Sequence, residues 1–212
     1  MQWVLTQACL GKFINITMVS LNIFTKCPFS GEPKKRLSNF LTSDERSYIS
    51  EQMLKSILLE SKKICNIKRF LWVYPNSYNK FFNNIENEYS LSLKNQIGNS
   101  LYERMKYCLS TQSRNFSKTL LVGSDIPSLS SDIINDAIKV LDYKDYVLGP
   151  SKDGGFYLLG FKGVYKNIIL KNQNNKAILF NYVIKNIKDS SSTYGVAPML
   201  KDIDTKKDLL II

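Results

Sequence analysis

The stretch Thr119–Pro127, TLLVGSDIP, constrains the fold of this chain more than any other. An apolar, strand-forming run stops abruptly at Gly123-Ser124-Asp125, and an amphipathic helix follows at Ser131–Leu141. A buried strand that hands over to a helix in this way belongs to an open α/β sheet. The pattern recurs along the chain. Met18–Phe24, Arg69–Tyr74, Tyr146–Leu148 and Phe156–Phe161 read as short strands, and Tyr194–Pro198 as an edge strand. Between them, Thr42-Ser43-Asp44-Glu45 matches a capping box, and Ile49, Met53, Ile57 with Leu54, Leu58 make one apolar helix face. Leu101–Leu109 and Ala177–Ile187 also read as helices, and the polar region Ser77–Ser90 holds a short one around Lys80–Ile85. This order predicts a mostly parallel sheet with right-handed crossovers. The carboxyl ends of its strands then share one side, where such sheets bind ligands. The loop Lys26–Arg36, Asp125 and Asp153 are expected around one crevice there.

Length and composition bound the chemistry. A chain of 212 residues fits one large domain with a full core. No apolar run reaches the roughly 18 residues of a membrane span, and MQWVLTQACLGKF lacks the marks of a secretory signal. Cys9, Cys27, Cys65 and Cys108 form no CxxC pair, which points to a reduced, cytoplasmic setting. There is no histidine. That removes histidine bases, nucleophile–histidine pairs and histidine metal ligands. Any metal must be held by oxygen, which favours Mg²⁺ or Mn²⁺. The formal charge of +11 comes from scattered lysines with one dense cluster, Lys34-Lys35-Arg36. Scatter argues for a solvated surface around an anionic-substrate pocket and against nucleic-acid binding.

Four motifs carry candidate chemistry. TKCPFSGEPKKRL at 25–37 combines glycine and prolines with cations, so it can wrap phosphates or form a solvated surface turn. It is neither a Walker loop nor a dinucleotide fingerprint. Asp125 can hold a metal or serve as a helix cap; Ser130 and Ser131 are better placed to cap, which leaves Asp125 for function. In GPSKDGG at 149–155 the paired glycines admit a ligand closely or simply turn a hairpin. In DIDTKKDL at 202–209, Asp202 and Asp204 are assigned to opposite faces, so that only one faces a metal; taken alone, this segment reads as a capped helix start. Arg104, in QIGNSLYERM, can contact an anion or pair with a neighbouring acid.

Together these motifs resemble a family of radical-SAM/selenodomain-associated, or arsenosugar-biosynthesis-type, glycosyltransferases. The matching pieces are TKCPFSGEPKKRL, QIGNSLYERM, LLVGSDIPSL, YVLGPSKDGGFYLLGF and DIDTKKDL, in family order over nearly the whole chain. The resemblance implies a three-layer α/β/α GT-A, or nucleotide-diphospho-sugar transferase, fold with a mostly parallel mixed sheet. That superfamily also holds phospholactate and molybdenum-cofactor guanylyltransferases. It implies phosphate contacts from Lys26, Gly31, Lys34 and Arg36. It implies a divalent metal, Mg²⁺ or Mn²⁺, on Asp125 with Asp204 first and Asp202 second. Asp153 would orient the acceptor or act as base, with Gly154, Gly155 and Arg104 near the sugar or acceptor. Lys35 stands where the family has Thr, Lys152 where it has Glu, and KNQNNKAILF where it has a Trp-Ser/Thr element; the last two touch the acceptor half. Met18 stands where family members begin, so residues 1–17 are expected to be an extension or a mis-assigned start.

The expected activity is metal-dependent transfer from a nucleotide-activated sugar to a small-molecule acceptor. The alternative is nucleotidyl transfer from an NTP to a phosphorylated acceptor with release of pyrophosphate. A homodimer is allowed for.

Overall fold

The computed structural model describes residues 18–30, 33–169 and 176–209. The segment 1–17 and Gly31 lie outside the described residues, as do residues 171–175 of KNQNNKAILF. Seven strands form one sheet: β1 (Val19–Lys26), β2 (Ile67–Tyr74), β3 (Ser92–Asn95), β4 (Lys118–Gly123), β5 (Tyr146–Pro150), β6 (Phe156–Lys162) and β7 (Tyr194–Val196). Their order is β3-β2-β1-β4-β6-β5-β7. β1 pairs parallel with β2 and β4, β2 with β3, and β5 with β7. β6 runs antiparallel to both of its neighbours, β4 and β5. The expected mostly parallel mixed α/β sheet is therefore present.

The helices are α1 (Ser43–Lys62), α2 (Ile85–Tyr89), α3 (Leu101–Gln112), α4 (Ser131–Tyr143), α5 (Lys176–Asp189) and α6 (Lys206–Leu209). The continuous apolar run of β4 explains the layering. Leu120 and Val122 join a core with Leu54 and Leu58 of α1 and Ile134 and Ala137 of α4. Leu121, pointing the other way, joins Cys108 and Leu109 of α3 and Val183 and Ile187 of α5. Both faces of the sheet are thus covered, and the buried polar residues Ser20, Asn22 and Thr119 on β1 and β4 hydrogen-bond to one another, to the Leu120 carbonyl and to Trp72. At about 25 cal/mol per Å², each such fully buried aliphatic side chain contributes about 1.5–3 kcal/mol.

Local signals set the element starts. Thr42 and Glu45 close the predicted capping box, and Ser100 with Glu103 forms a second one at α3. Ser130 caps α4 by accepting from the Ile133 amide, which leaves Asp125 out of that role. Two expectations need correction. The helix at Lys80–Ile85 is a 3₁₀ turn at Lys80–Phe82 followed by α2. β3 goes undetected in the sequence because SLKN is a polar, four-residue edge strand with a ladder on one side only. No helix among the described residues is long and apolar enough to cross a membrane. Cys27, Cys65 and Cys108 are free thiols.

Candidate active site

The carboxyl ends of β1, β2, β3, β4 and β5 open on a crevice of about 520 Å³. Its lining includes Lys26, Lys34, Arg36, Arg104, Asp125, Asp153, Gly155, Asp202 and Asp204. The sequence places all of these near one ligand. Gly154 is absent from the lining; it turns the β5–β6 hairpin at a φ of 89°.

Asp125 lies just past β4. Ser124 is tied to β1 by its amide to the Phe24 carbonyl at 3.1 Å and its hydroxyl to Thr25 Oγ1 at 3.0 Å. The Asp125 carbonyl then accepts from the Ile203 amide at 3.2 Å, which fastens the 202–204 segment to the end of β4. Gly123 leaves room for this: a Cβ there would stand 3.0 Å from Asp125 Oδ1.

Asp153, Asp202 and Asp204 each bring a carboxylate oxygen within 4.8 Å of the others. Asp202 and Asp204 therefore share a side, contrary to the expectation of opposite faces. Side chains two apart in extended chain point the same way, and Ile203 between them is buried. Asp153 has two structural contacts in the site. Its Oδ1 accepts from the Gly155 amide at 2.9 Å, which sets the hairpin turn, while the carboxylate joins the acidic trio. Asp202 Oδ1 accepts from Ser151 Oγ at 3.0 Å. Burial, then the negative charges of Asp153 and Asp204, push the Asp202 carboxyl above its ordinary value against that hydroxyl. The all-oxygen donor set fits a hard divalent cation such as Mg²⁺ or Mn²⁺.

Cations face these acids. The Lys34 ammonium lies 3.3 Å from Asp125 Oδ2 and 3.5 Å from Asp204 Oδ1, and Arg36 Nη1 lies 2.9 Å from Asp204 Oδ2. Asp125 is thus linked to the acidic trio through Lys34. Lys34 adopts a left-handed φ of 49° just before the 3₁₀ turn Lys35–Leu37, whose Leu37 is fully buried. Lys26, the last residue of β1, is exposed at the rim.

Four supporting residues escape a sequence reading. Arg46 of α1 donates to the Pro33 carbonyl at 3.1 Å and the Leu41 carbonyl at 2.7 Å, so it braces both ends of the cationic segment. Asp208 accepts from the amides of Asp204 and Thr205 and from the Thr205 hydroxyl, which fixes the turn carrying Asp204. The Thr205-x-x-Asp208 spacing, similar to a capping box, is the available signal. Gln96 donates to the Thr25 carbonyl at 3.0 Å and the Trp72 carbonyl at 2.9 Å, and accepts from Arg104 Nε at 3.0 Å. Tyr74 lies under the Arg104 guanidinium, 4.0 Å from ring centroid to Cζ. Among the described residues Arg104 forms no ion pair, and burial, against the opposing influence of Tyr74 and Glu103, pushes its guanidinium down from its usual value without discharging it at neutral pH.

Comparison with known proteins gives the family and the fold. The model of a family described as an uncharacterized protein conserved in bacteria (DUF2064) matches residues 58–176. The chain belongs to the DUF2064 family. The matched DUF2064 span carries Gln96, Arg104, Asp125 and Asp153. A curated relative, the 2-phospho-L-lactate guanylyltransferase of Methanocaldococcus vulcanius, is 27% identical over 183 residues, which are 83% of this chain and 76% of that protein. A solved structure assigned as a nucleotide-diphospho-sugar transferase from Desulfovibrio desulfuricans G20 superposes with a TM-score of 0.82 at 21% identity, over 91% of this chain and 85% of its own. Glucosyl-3-phosphoglycerate synthase of Mycobacterium tuberculosis, solved with Mn²⁺, UDP and glucosyl-3-phosphoglycerate, superposes with a TM-score of 0.58 at 6% identity, over 92% and 75%. The fold is that of nucleotide-diphospho-sugar transferases. These relatives and structural neighbours are themselves transferases.

Proposed function

We propose that this chain is a metal-dependent glycosyltransferase that uses a nucleotide-activated sugar. One observation carries the reading: Asp125, Asp153, Asp202 and Asp204 meet Lys34 and Arg36 in a single crevice at the carboxyl edge of the sheet. The motif resemblance to radical-SAM/selenodomain-associated glycosyltransferases supports the sugar-transfer assignment. Asp125, Asp202 and Asp204 would hold Mg²⁺ or Mn²⁺, which when bound neutralises charge growing on a leaving diphosphate. Lys34 and Arg36 swing from their carboxylates to the phosphate oxygens, Lys as a point charge and Arg as a fork. An acceptor hydroxyl oxygen bonds to the anomeric carbon as the bond from that carbon to the diphosphate oxygen breaks. Asp153 takes the hydroxyl proton. Gly155, beside it, presents backbone rather than a side chain to the acceptor. Lys26, at the rim, adds positive potential to the approach.

Calorimetry tests the assignment. Wild type should bind a sugar nucleotide more tightly with Mn²⁺ present, and Asp125→Ala should lose that Mn²⁺-dependent gain while its unfolding transition stays cooperative. Undiminished binding in the variant removes Asp125 from the site.

A second reading, nucleotidyl transfer, is favoured by the guanylyltransferase relative. Here the acceptor's phosphate attacks the α-phosphorus of an NTP, and pyrophosphate leaves. Pyrophosphate release from an NTP with 2-phospholactate or another phosphorylated acid would select this reading over the first.

A further inference from the structure

Two of the cations expected to clamp phosphates are occupied in the free protein: Lys34 by Asp125 and Asp204, Arg36 by Asp204. Arg104, by contrast, is 8% exposed and forms no ion pair among the described residues, the Glu103 charge acting on it only through space. Its neighbour Glu103 turns its carboxylate to the Asn99 and Ser100 amides at the start of α3. Gln96 holds the Nε edge, and Tyr74 covers a face of the guanidinium. The two terminal nitrogens bond to no described residue. No buried side-chain nitrogen or oxygen among the described residues lacks a partner, so these two are not sealed in. They open on the crevice that Arg104 lines.

For Arg104 burial outweighs the through-space charge of Glu103, and a nearly buried cation with no acid bonded to it persists where a ligand supplies the missing charge. The orientation is also preset. Gln96 is pinned by the backbone at the ends of β1 and β2, so the fork cannot rotate freely. Stacking on Tyr74 uses the face of the guanidinium and leaves its edge donors available. Two parallel N–H groups in a fixed plane match the two oxygens of a phosphate or carboxylate.

We propose that Arg104 is a second oxyanion anchor in the crevice, binding a phosphate or carboxylate of the substrate before any metal is present. The proposal rests on the crevice being the substrate site and gives that site a metal-independent half.

The test is calorimetry in EDTA with two probes, inorganic pyrophosphate and lactate, on wild type, Arg104→Met and Arg104→Lys. Wild type binds at least one probe without metal. Arg104→Met weakens it about 10- to 100-fold, the loss of a charge-assisted fork, and Arg104→Lys recovers part. A loss confined to pyrophosphate identifies a phosphate as the ligand group; a loss confined to lactate identifies a carboxylate. Unfolding of Arg104→Met stays cooperative, because a linear apolar chain fills the same space. Equal affinity in wild type and Arg104→Met, or no metal-free binding in wild type, overturns the proposal. So does an equal loss for the neutral nucleosides guanosine and uridine, which would make Arg104 a reader of base edges. A Mn²⁺ titration without anion reports separately on the carboxylates. If Mn²⁺ fails to bind while the Arg104 effect stands, the transferase reading falls and the anion anchor remains.

Discussion

Replacing Lys34 with Met should tighten metal binding while it weakens diphosphate binding. The ammonium sits 3.3 Å from Asp125 and 3.5 Å from Asp204, with only a tenth of its side chain exposed. At an effective dielectric of about 20, each contact is worth about 5 kcal/mol of Coulomb attraction. Desolvation of the ammonium and screening at the half-exposed Asp125 offset most of it. About 1–2 kcal/mol of net coupling survives, in the range measured for linked charge pairs. A metal must displace this ammonium from two of its carboxylates. Removing the competitor should therefore improve the Mn²⁺ dissociation constant about ten-fold, since about 1.4 kcal/mol is a factor of ten. The assay is a Mn²⁺ titration by calorimetry without nucleotide, followed by a nucleoside diphosphate titration in Mn²⁺. Unchanged or weaker Mn²⁺ binding in Lys34→Met would refute the reasoning that this lysine and the metal compete for the same oxygens.

Arg46→Met frees the Pro33 and Leu41 carbonyls that flank the cationic segment. It should cost about 2 kcal/mol, lowering the melting temperature by about 4–8 °C, and weaken Mn²⁺–diphosphate binding; a scan and a titration read both. Burial opposes ionisation of Asp208, but the Lys201 ammonium at 2.8 Å and the Thr205 and Asp204 donors outweigh it, so its carboxyl sits well below the usual range. A depressed folded value gives stability that is complete above the unfolded value of about 4 and fades as pH falls toward the folded one. Asp208→Asn should therefore be less stable than wild type in urea at pH 7, with a gap that shrinks below about pH 4; a gap constant with pH would contradict this. Gly149→Ala places a methyl group into the Tyr157 ring, which is held by its hydroxyl bond to Pro198. Overpacking of this kind costs about 1–3 kcal/mol, visible as a lower urea midpoint with unchanged slope.

What the sequence reveals and hides has a physical pattern. TLLVGSD is legible because Leu120, Leu121 and Val122 are buried on both faces of the sheet, while the strand's end turns polar. The cation-rich loop and the Asp-Gly-Gly turn are legible because glycine and charge at strand ends serve few purposes. β3 is hidden because an edge strand needs no apolar run. Arg46 and Gln96 are hidden for another reason: they act on backbone carbonyls of distant segments, and nothing in their own neighbourhoods marks those partners, whereas Asp208 acts on Asp204 and Thr205 close by and leaves the Thr205-x-x-Asp208 spacing as its signal. The shared side of Asp202 and Asp204 follows from their two-residue spacing once the segment is extended. The pairing of Lys34 with Asp125, 91 positions away, needs the three-dimensional fold.

The most direct test of the metal–diphosphate site is a thermal-shift screen of nucleoside diphosphate sugars and NTPs, with and without Mn²⁺, on wild type and Asp125→Ala. A ligand at about a hundred times its dissociation constant adds about 2.7 kcal/mol, or about 5–11 °C for a chain of this size. Wild type should show such a rise with at least one nucleotide, larger with Mn²⁺ than without, and Asp125→Ala should lose the Mn²⁺-dependent part. A flat screen in wild type, or a Mn²⁺-dependent rise that survives in Asp125→Ala, would contradict the assignment.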